Sequence, residues 1–304
     1  MSTFLKKLER QKYLLILVIP FMLLLIIFSY IPMFGLIGAF QDYQPTKGFL
    51  HSDWVGLKFF KDFISGYFFK LLLKNTVGIS FLKILFGFPA PIILALFLNE
   101  LRTRWFKRTV QTISYLPYFV SWVVVLGILG RLLSPDGGII NNILAGVFGY
   151  KDPIVFMQES KYMWGLAVIT DIWKNLGMNT ILYMAALASI NSELYEAAEI
   201  DGANRWQKML YITWPGIRPT VAILFIFTMG SLFSDNFEQM WMLGNAITVR
   251  ASTEVFDTYI MREGLLNANY SIGIAAGLML NIVNFFILFI INRAVKLLGE
   301  EGIW

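Results

Sequence analysis

Charged and amide side chains stand in this chain where the surrounding residues are almost entirely apolar. Lys83 lies mid-way along one apolar stretch. Asp171, Trp173, Lys174, Asn175, Asn179 and Tyr183 lie along another. Asp235, Asn236, Glu238, Gln239 and Trp241 close a third, and Asn281 and Asn284 share a face of the last, one turn apart. An ionisable group inside lipid is costly to keep, so such residues are functional candidates by default: they line a path for a polar solute or relay an ion. Each also has a plainer reading. Asp171 and Lys174, spaced i, i+3, can neutralise each other. Asp235 and Glu238 can sit at a water boundary, and the Asn pair can simply join two helices. Lys83 has no obvious local partner; it suits an anionic solute, or it snorkels, or it pairs with an acid from the third stretch.

The residues that are missing narrow the chemistry. There is no Cys and a single His, His51, which removes disulfides, thiolate nucleophiles and Cys/His metal sites together. No G-x-x-x-x-G-K-[ST], H-E-x-x-H or G-x-S-x-G occurs. The chain therefore has no phosphate-binding loop of its own and no visible catalytic machinery.

The elements that must position these groups are helices in a bilayer. The chain has 304 residues, 57% hydrophobic and 15% charged, with a mean hydropathy of +0.63. A water-soluble domain cannot hide that much apolar surface. Backbone groups in lipid must be satisfied within their own segment, so the expected architecture is all-α, with six transmembrane helices in one domain, residues 1–304. The spans are expected at residues 13–34, 72–98, 113–133, 163–190, 219–243 and 272–293. The first is too long for a signal-peptide core and lacks a small-residue cleavage site, so it is expected to be retained. The formal net charge of +5 comes from Lys and Arg flanking the spans and argues for no nucleic-acid partner. Lys6, Lys7, Arg10 and Lys12, together with Arg102, Arg104, Lys107 and Arg108, place both termini in the cytoplasm by the positive-inside rule. The loop at 191–218 then faces the cytoplasm.

That loop has a shape written into it. Glu193, Glu196 and Glu199 recur every three residues, with Leu194, Ala197, Ala198 and Ile200 between them, a helix with an acidic and an apolar face. Asp201-Gly202 breaks it. A second short helix fits Ala203 to Tyr211, and Pro215 and Pro219 are expected to stop it before the fifth span begins. The alternative is a hairpin lying on lipid headgroups, but anionic inner-leaflet lipid repels a Glu-rich face and favours Lys and Arg. A docking surface for a soluble partner fits better.

Glu196-Ala197-Ala198, Gly202 four positions on, then Ile212 and Pro215 resemble the EAA loop of binding-protein-dependent ABC importer permeases. In that family the order is EAA, three residues, Gly, nine residues, Ile, one residue, Leu, Pro. Every spacing holds here, and the one departure is Trp214 in place of Leu. The run Tyr195 to Ala203 is similar to the carbohydrate-uptake, maltose-type branch. Phe106-Lys107-Arg108, Leu116-Pro117, Asp136-Gly137-Gly138 with Asn141, Asn236-Phe237-Glu238-Gln239, Asp257-Thr258-Tyr259 and Trp304 extend the likeness over nearly the whole chain. The last few look most like permeases for oligosaccharides cut from plant or algal polysaccharides, many of them rich in uronic acid.

The resemblance implies a type I ABC importer permease in a bacterial cytoplasmic membrane, with a cytoplasmic coupling-helix loop. Its partners would be a second homologous permease in a heterodimer, two ATPase subunits that bind ATP and Mg, and an extracytoplasmic solute-binding protein. This chain itself would bind no cofactor or metal and would not be an enzyme. The resemblance assigns Glu196 a polar grip on the ATPase, Ala197 and Ala198 close packing, and Gly202 the turn, with Ile212 and Pro215 completing the loop. The intramembrane residues named above would then be the sugar path, since aromatic faces and paired donors and acceptors suit a sugar. Two other readings are weighed against it. A permease of the same family for a non-sugar solute is disfavoured by the Ile-Asp-Gly-Ala continuation after EAA. A gradient-driven secondary transporter would use Asp171 and Asp235 but leaves the elbow unexplained.

Overall fold

The computed structural model describes residues 11–101, 103–234, 237–244, 247–300 and 302–303. The described residues fall into two compact units, one within 11–66 and 260–279, the other within 67–259 and 280–303. Among the described residues, four helical stretches are long and apolar enough to cross a membrane: Ile16–Phe40, Tyr67–Glu100, Arg205–Gly230 and Tyr270–Leu297. A fifth is the bent pair Arg104–Phe119 and Trp122–Leu132, which turns by 103°. Ser160–Ala188, at 29 residues, is long enough but too polar to join them on composition, because it carries Asp171, Lys174, Asn175 and Asn179.

In the first unit, the apolar stretch Ile16–Phe40 buries none of its apolar core against the chain. It leads into a two-stranded antiparallel ribbon in which Gln41 pairs with Trp54 and Asp42 with Asp53. Ser271 fastens the ribbon: its hydroxyl donates to the Gln41 carbonyl at 2.6 Å and accepts from the Tyr43 amide at 2.9 Å. Phe40 stacks on Trp54 and Tyr43 on Phe49 beside it.

In the second unit, three expected spans depart from the sequence reading, each for a local reason. The expected span 72–98 runs longer, as Tyr67–Glu100, and widens into a π-helical turn at Lys83–Gly87. Pro89 and Pro91 follow immediately and supply no backbone N–H, so the turn before them cannot close in the ordinary register. The expected span 113–133 is not one helix. It breaks at Leu116–Ser121, where Pro117 is buried and the carbonyls of Tyr118 and Val120 turn to accept from the Lys174 ammonium. Gly177 permits the close approach, since a Cβ there would overlap the Ser114 carbonyl.

The expected span 219–243 also splits. Its helix begins earlier, with Arg205, and ends at Gly230; a turn follows, and then a separate helix, Phe237–Leu243. Asn284 holds the break open. Its Oδ1 accepts from the Phe233 amide and its Nδ2 donates to Ser234 Oγ at 2.6 Å. Beyond it the chain makes further short helices, Ile247–Thr253 and Phe256–Tyr259. Irregular backbone between apolar helices needs its polar groups met, and polar side chains on the long helices meet several of them. Asn75, 2% exposed, donates to the carbonyls of Ala251 and Glu254, both at 2.9 Å. Thr76 accepts from the Phe256 amide, Ser80 donates to the Leu232 carbonyl, and the Trp164 indole donates to the Ser252 carbonyl.

Candidate functional site

Two places in the second unit gather the residues that could carry function. The first is a cavity of about 390 Å³ between the Tyr67–Glu100, Ser160–Ala188 and Arg205–Gly230 helices. Its polar lining is Lys83, Asp171, Asn175, Asn179, Tyr183, Thr228 and Ser231; Phe88, Ile172, Leu176 and Phe227 are among its apolar walls. Lys83 projects from the π turn, a local widening that often marks functional positions. Its ammonium donates to Asp171 Oδ1 at 2.9 Å and to Gln239 Oε1 at 2.7 Å. Asn175 donates to the same Asp171 oxygen at 3.2 Å. Gln239 is buried and donates through Nε2 to the Ala167 carbonyl and to Thr170 Oγ1, at 2.7 and 2.8 Å. Lys83 and Asp171 are mostly buried, with 13% and 21% of their side chains exposed. An ion pair at that depth holds because its members are also hydrogen-bonded.

The cavity brings together Lys83, Asp171, Asn175, Asn179 and Tyr183 of the residues picked out in the sequence, with Gln239 bonded to Lys83 behind them. The others lie elsewhere. Lys174 does not neutralise Asp171; it serves the carbonyls of the 116–121 break and lies over the rings of Tyr118 and Trp122. Asn284 serves the break after Gly230. Trp173, Glu238 and Asn281 are exposed, and Trp241 packs beside Phe237. Asp235 and Asn236 lie outside the described residues, as does Trp304. Thr228 and Ser231 had no sequence signal, because hydroxyls that bond back into their own helix look like any helix-interior Ser or Thr. Lys174→Met is expected to lower the melting temperature by several degrees, because two turned-in carbonyls lose their donor at about 1–3 kcal/mol each. A thermal scan of the detergent-purified protein checks it.

The second place is the elbow after Ser160–Ala188. Ser192–Ile200 is a helix whose N-cap, Asn191, accepts from the Glu193 amide at 3.0 Å. It ends in a paired turn: the Gly202 amide donates to the Glu199 carbonyl and the Ala203 amide to the Ala198 carbonyl, at 3.1 and 2.8 Å. This is the Schellman pattern, and it requires the left-handed φ of +76° that Gly202 adopts. A reciprocal capping box, Asn204 with Gln207, then starts the next helix.

That helix is not a separate second arm stopped by Pro215. It runs on as Arg205–Gly230, through a π turn at Met209–Thr213. The π turn delivers the chain to Pro215 with a wider register, so the absent N–H costs no ordinary helical bond. The two arms are cross-braced. Lys208 pairs with Glu199 at 2.6 Å, and the hydroxyls of Tyr195 and Thr213 meet at 2.9 Å. Ile212 is half-buried behind this brace and Pro215 is exposed. Glu196 and Ala197 are exposed, Ala198 is half-buried, and Ile200, Trp206 and Tyr211 are 87%, 76% and 73% exposed. The elbow thus offers a stiff surface of apolar knobs beside a carboxylate.

The family model described as "Binding-protein-dependent transport system inner membrane component" matches residues 87–298. The chain belongs to that permease family. Within it, the permease is 41% identical over 297 residues to Protein LplB of Bacillus subtilis, covering 98% of this chain and 92% of that one. It is also 41% identical over 298 residues to the polygalacturonan/rhamnogalacturonan transport system permease protein YteP of the same organism, with the same coverage. Among solved structures it is similar to a bacterial alginate ABC transporter in complex with an alginate pentasaccharide-bound periplasmic protein. There the TM-score is 0.89 and the identity 36%, covering 98% of this chain and 99% of that one. The permease is a transport subunit and not an enzyme.

Proposed function

We propose that this permease is one membrane subunit of an ATP-driven importer for oligosaccharides of the kind cut from plant or algal polysaccharides, uronic-acid-bearing ones included. The observation that carries this is the elbow: the EAA spacing falls on a self-braced bend in which Glu196, Ala197, Gly202 and Pro215 are exposed and Ala198 and Ile212 half-buried. The names of the relatives, a polygalacturonan/rhamnogalacturonan permease and an alginate importer, support the cargo class.

In this reading six helices cross the bilayer, Ser160–Ala188 being the sixth, its polar face turned from lipid. Both termini and the elbow are cytoplasmic. The elbow is a coupling helix seated in one of two ATPase subunits, which hold ATP and Mg, and a second homologous permease completes a heterodimer. The solute-binding protein, the partner named in the alginate structure, delivers cargo on the opposite side. Mechanically, a coupling element must transmit displacement without yielding. The Lys208–Glu199 and Tyr195–Thr213 braces and the continuity of Arg205–Gly230 suit it to convert ATPase closure into tilting of a helix that lines the cavity. Sugar hydroxyls then meet Asp171, Asn179, Tyr183, Thr228 and Ser231.

The test is to co-express the permease with its candidate ATPase and second permease, purify in mild detergent, and assay ATPase with binding protein and a panel of neutral and uronic oligosaccharides. The expected result is a stable complex whose ATPase rises only with sugar-loaded binding protein. Failure of the ATPase to associate with a folded chain would overturn the coupling role. Stimulation by non-sugar solutes alone would overturn the cargo.

A further inference from the structure

We propose that Asp171 sets the charge preference of the cavity, making it a seat for an uncharged sugar unit and keeping the carboxylate of a uronate out of it. The inference rests on the oligosaccharide reading above. A lone ammonium in a sugar path invites the opposite conclusion, that Lys83 is a receptor for acidic cargo. The hydrogen bonds argue otherwise. Lys83 is the one cation and Asp171 the one anion among the described residues lining the cavity. Lys83 already gives one N–H to Asp171 and one to Gln239. Gln239 cannot turn away, because both Ala167 and Thr170 accept from its Nε2. The ammonium is therefore committed and its charge balanced. An arriving carboxylate would find no net attraction and would sit as a second anion beside Asp171, an arrangement a low-dielectric site penalises.

What remains available suits hydroxyls. Asp171 spends Oδ1 on both Lys83 and Asn175, and its Oδ2 makes no hydrogen bond among the described residues. Tyr183 lines the cavity and is only 2% exposed, and its hydroxyl likewise has no hydrogen-bond partner among the described residues. Asn179 adds an amide with two donors and an acceptor. A carboxylate oxygen, a phenol and an amide between apolar walls match a solute dense in O–H groups and short of charge.

The experiment uses the reconstituted importer, the same binding protein throughout, and two probes that differ only in charge: trigalacturonate and its fully methyl-esterified form. Cargo-stimulated ATPase is measured at saturating loaded binding protein. It is expressed as the ratio of variant to wild type for each probe, which cancels the binding protein's own preference. Asp171→Asn keeps the shape and removes the one carboxylate among the described residues lining the cavity. The ratio for trigalacturonate is expected to exceed that for the ester by about tenfold, the scale of one net charge at a partly screened site. The double variant Lys83→Met with Asp171→Asn removes both charges and should bring the two ratios back together. Asn175→Asp, which replaces the donor to Asp171 Oδ1 by a second carboxyl group and leaves the Lys83–Asp171 contact in place, should move the ratios the other way and keeps the test alive should Asp171→Asn fail to fold. Equal ratios for both probes in Asp171→Asn and Asn175→Asp would overturn the proposal. So would a selective loss of trigalacturonate in Lys83→Met with Asp171→Asn. If neither probe stimulates the wild-type importer, the oligosaccharide reading falls first and this inference with it.

Discussion

Gly202→Pro should leave the permease inserted in the membrane and abolish cargo uptake. Gly202 sits at φ +76° and its amide donates to the Glu199 carbonyl. Proline is fixed near φ −65° and has no N–H, so it fails both requirements at once, at about 3 kcal/mol or more. The damage is confined. No atom lies within 4 Å of where a side chain at Gly202 would begin, so the spans lose no packing. What is lost is the paired turn, and with it the angle at which Ser192–Ile200 meets Arg205–Gly230. Glu196→Lys tests the same surface by charge. Glu196 is exposed and makes no hydrogen bond among the described residues, so its reversal costs the fold little. A partner that grips a carboxylate with a cation would be repelled. Both variants are expected to retain membrane insertion by fractionation while uptake of labelled oligosaccharide falls at least about tenfold, the loss of one charge-assisted contact. Unchanged uptake in both would remove the docking role from the elbow.

The second large effect belongs to the ion pair. Lys83→Met should destabilise the folded permease by about 3–5 kcal/mol, because it strands a mostly buried carboxylate. The acid keeps only Asn175, and Gln239 loses the donor to its Oε1. Adding Asp171→Asn should recover most of the loss, since an apolar and amide pair of similar volume carries no uncompensated charge. Thermal denaturation of the detergent-purified protein, followed by size exclusion, reads both. A double variant no more stable than Lys83→Met alone would show that the pair is not the unit that matters.

Much of this was visible before any coordinate. The apolar runs announce membrane helices through composition, and the turn at Gly202 is legible because a glycine after Glu-Ile-Asp has few other uses. The breaks were not legible. Residues 113–133 and 219–243 read as continuous because hydropathy sees side chains, whereas Lys174 and Asn284 end those helices by capturing backbone groups over 50 positions away. The sequence pattern likewise made Pro215 a helix stop; a π turn just before it, which leaves no compositional trace, lets the helix pass through. Lys83 stands out in the sequence as a cation among apolar residues, but partners 88 and 156 positions distant cannot be read from spacing. Spacing instead matches Asp171 to its nearest cation, Lys174, because helical neighbours are the only pairs a sequence displays. Long-range polar contacts are set by which helices pack together, and that is decided by the whole apolar surface.

The most direct measurement is ATP-dependent accumulation of a labelled oligosaccharide in proteoliposomes holding the complete importer, with binding protein outside, recorded together with ATP hydrolysed. The account predicts accumulation by the wild type that requires both ATP and binding protein, and hydrolysis without accumulation, or neither, in Glu196→Lys. Accumulation driven by an ion gradient in the absence of ATP, undiminished in Glu196→Lys, would contradict it.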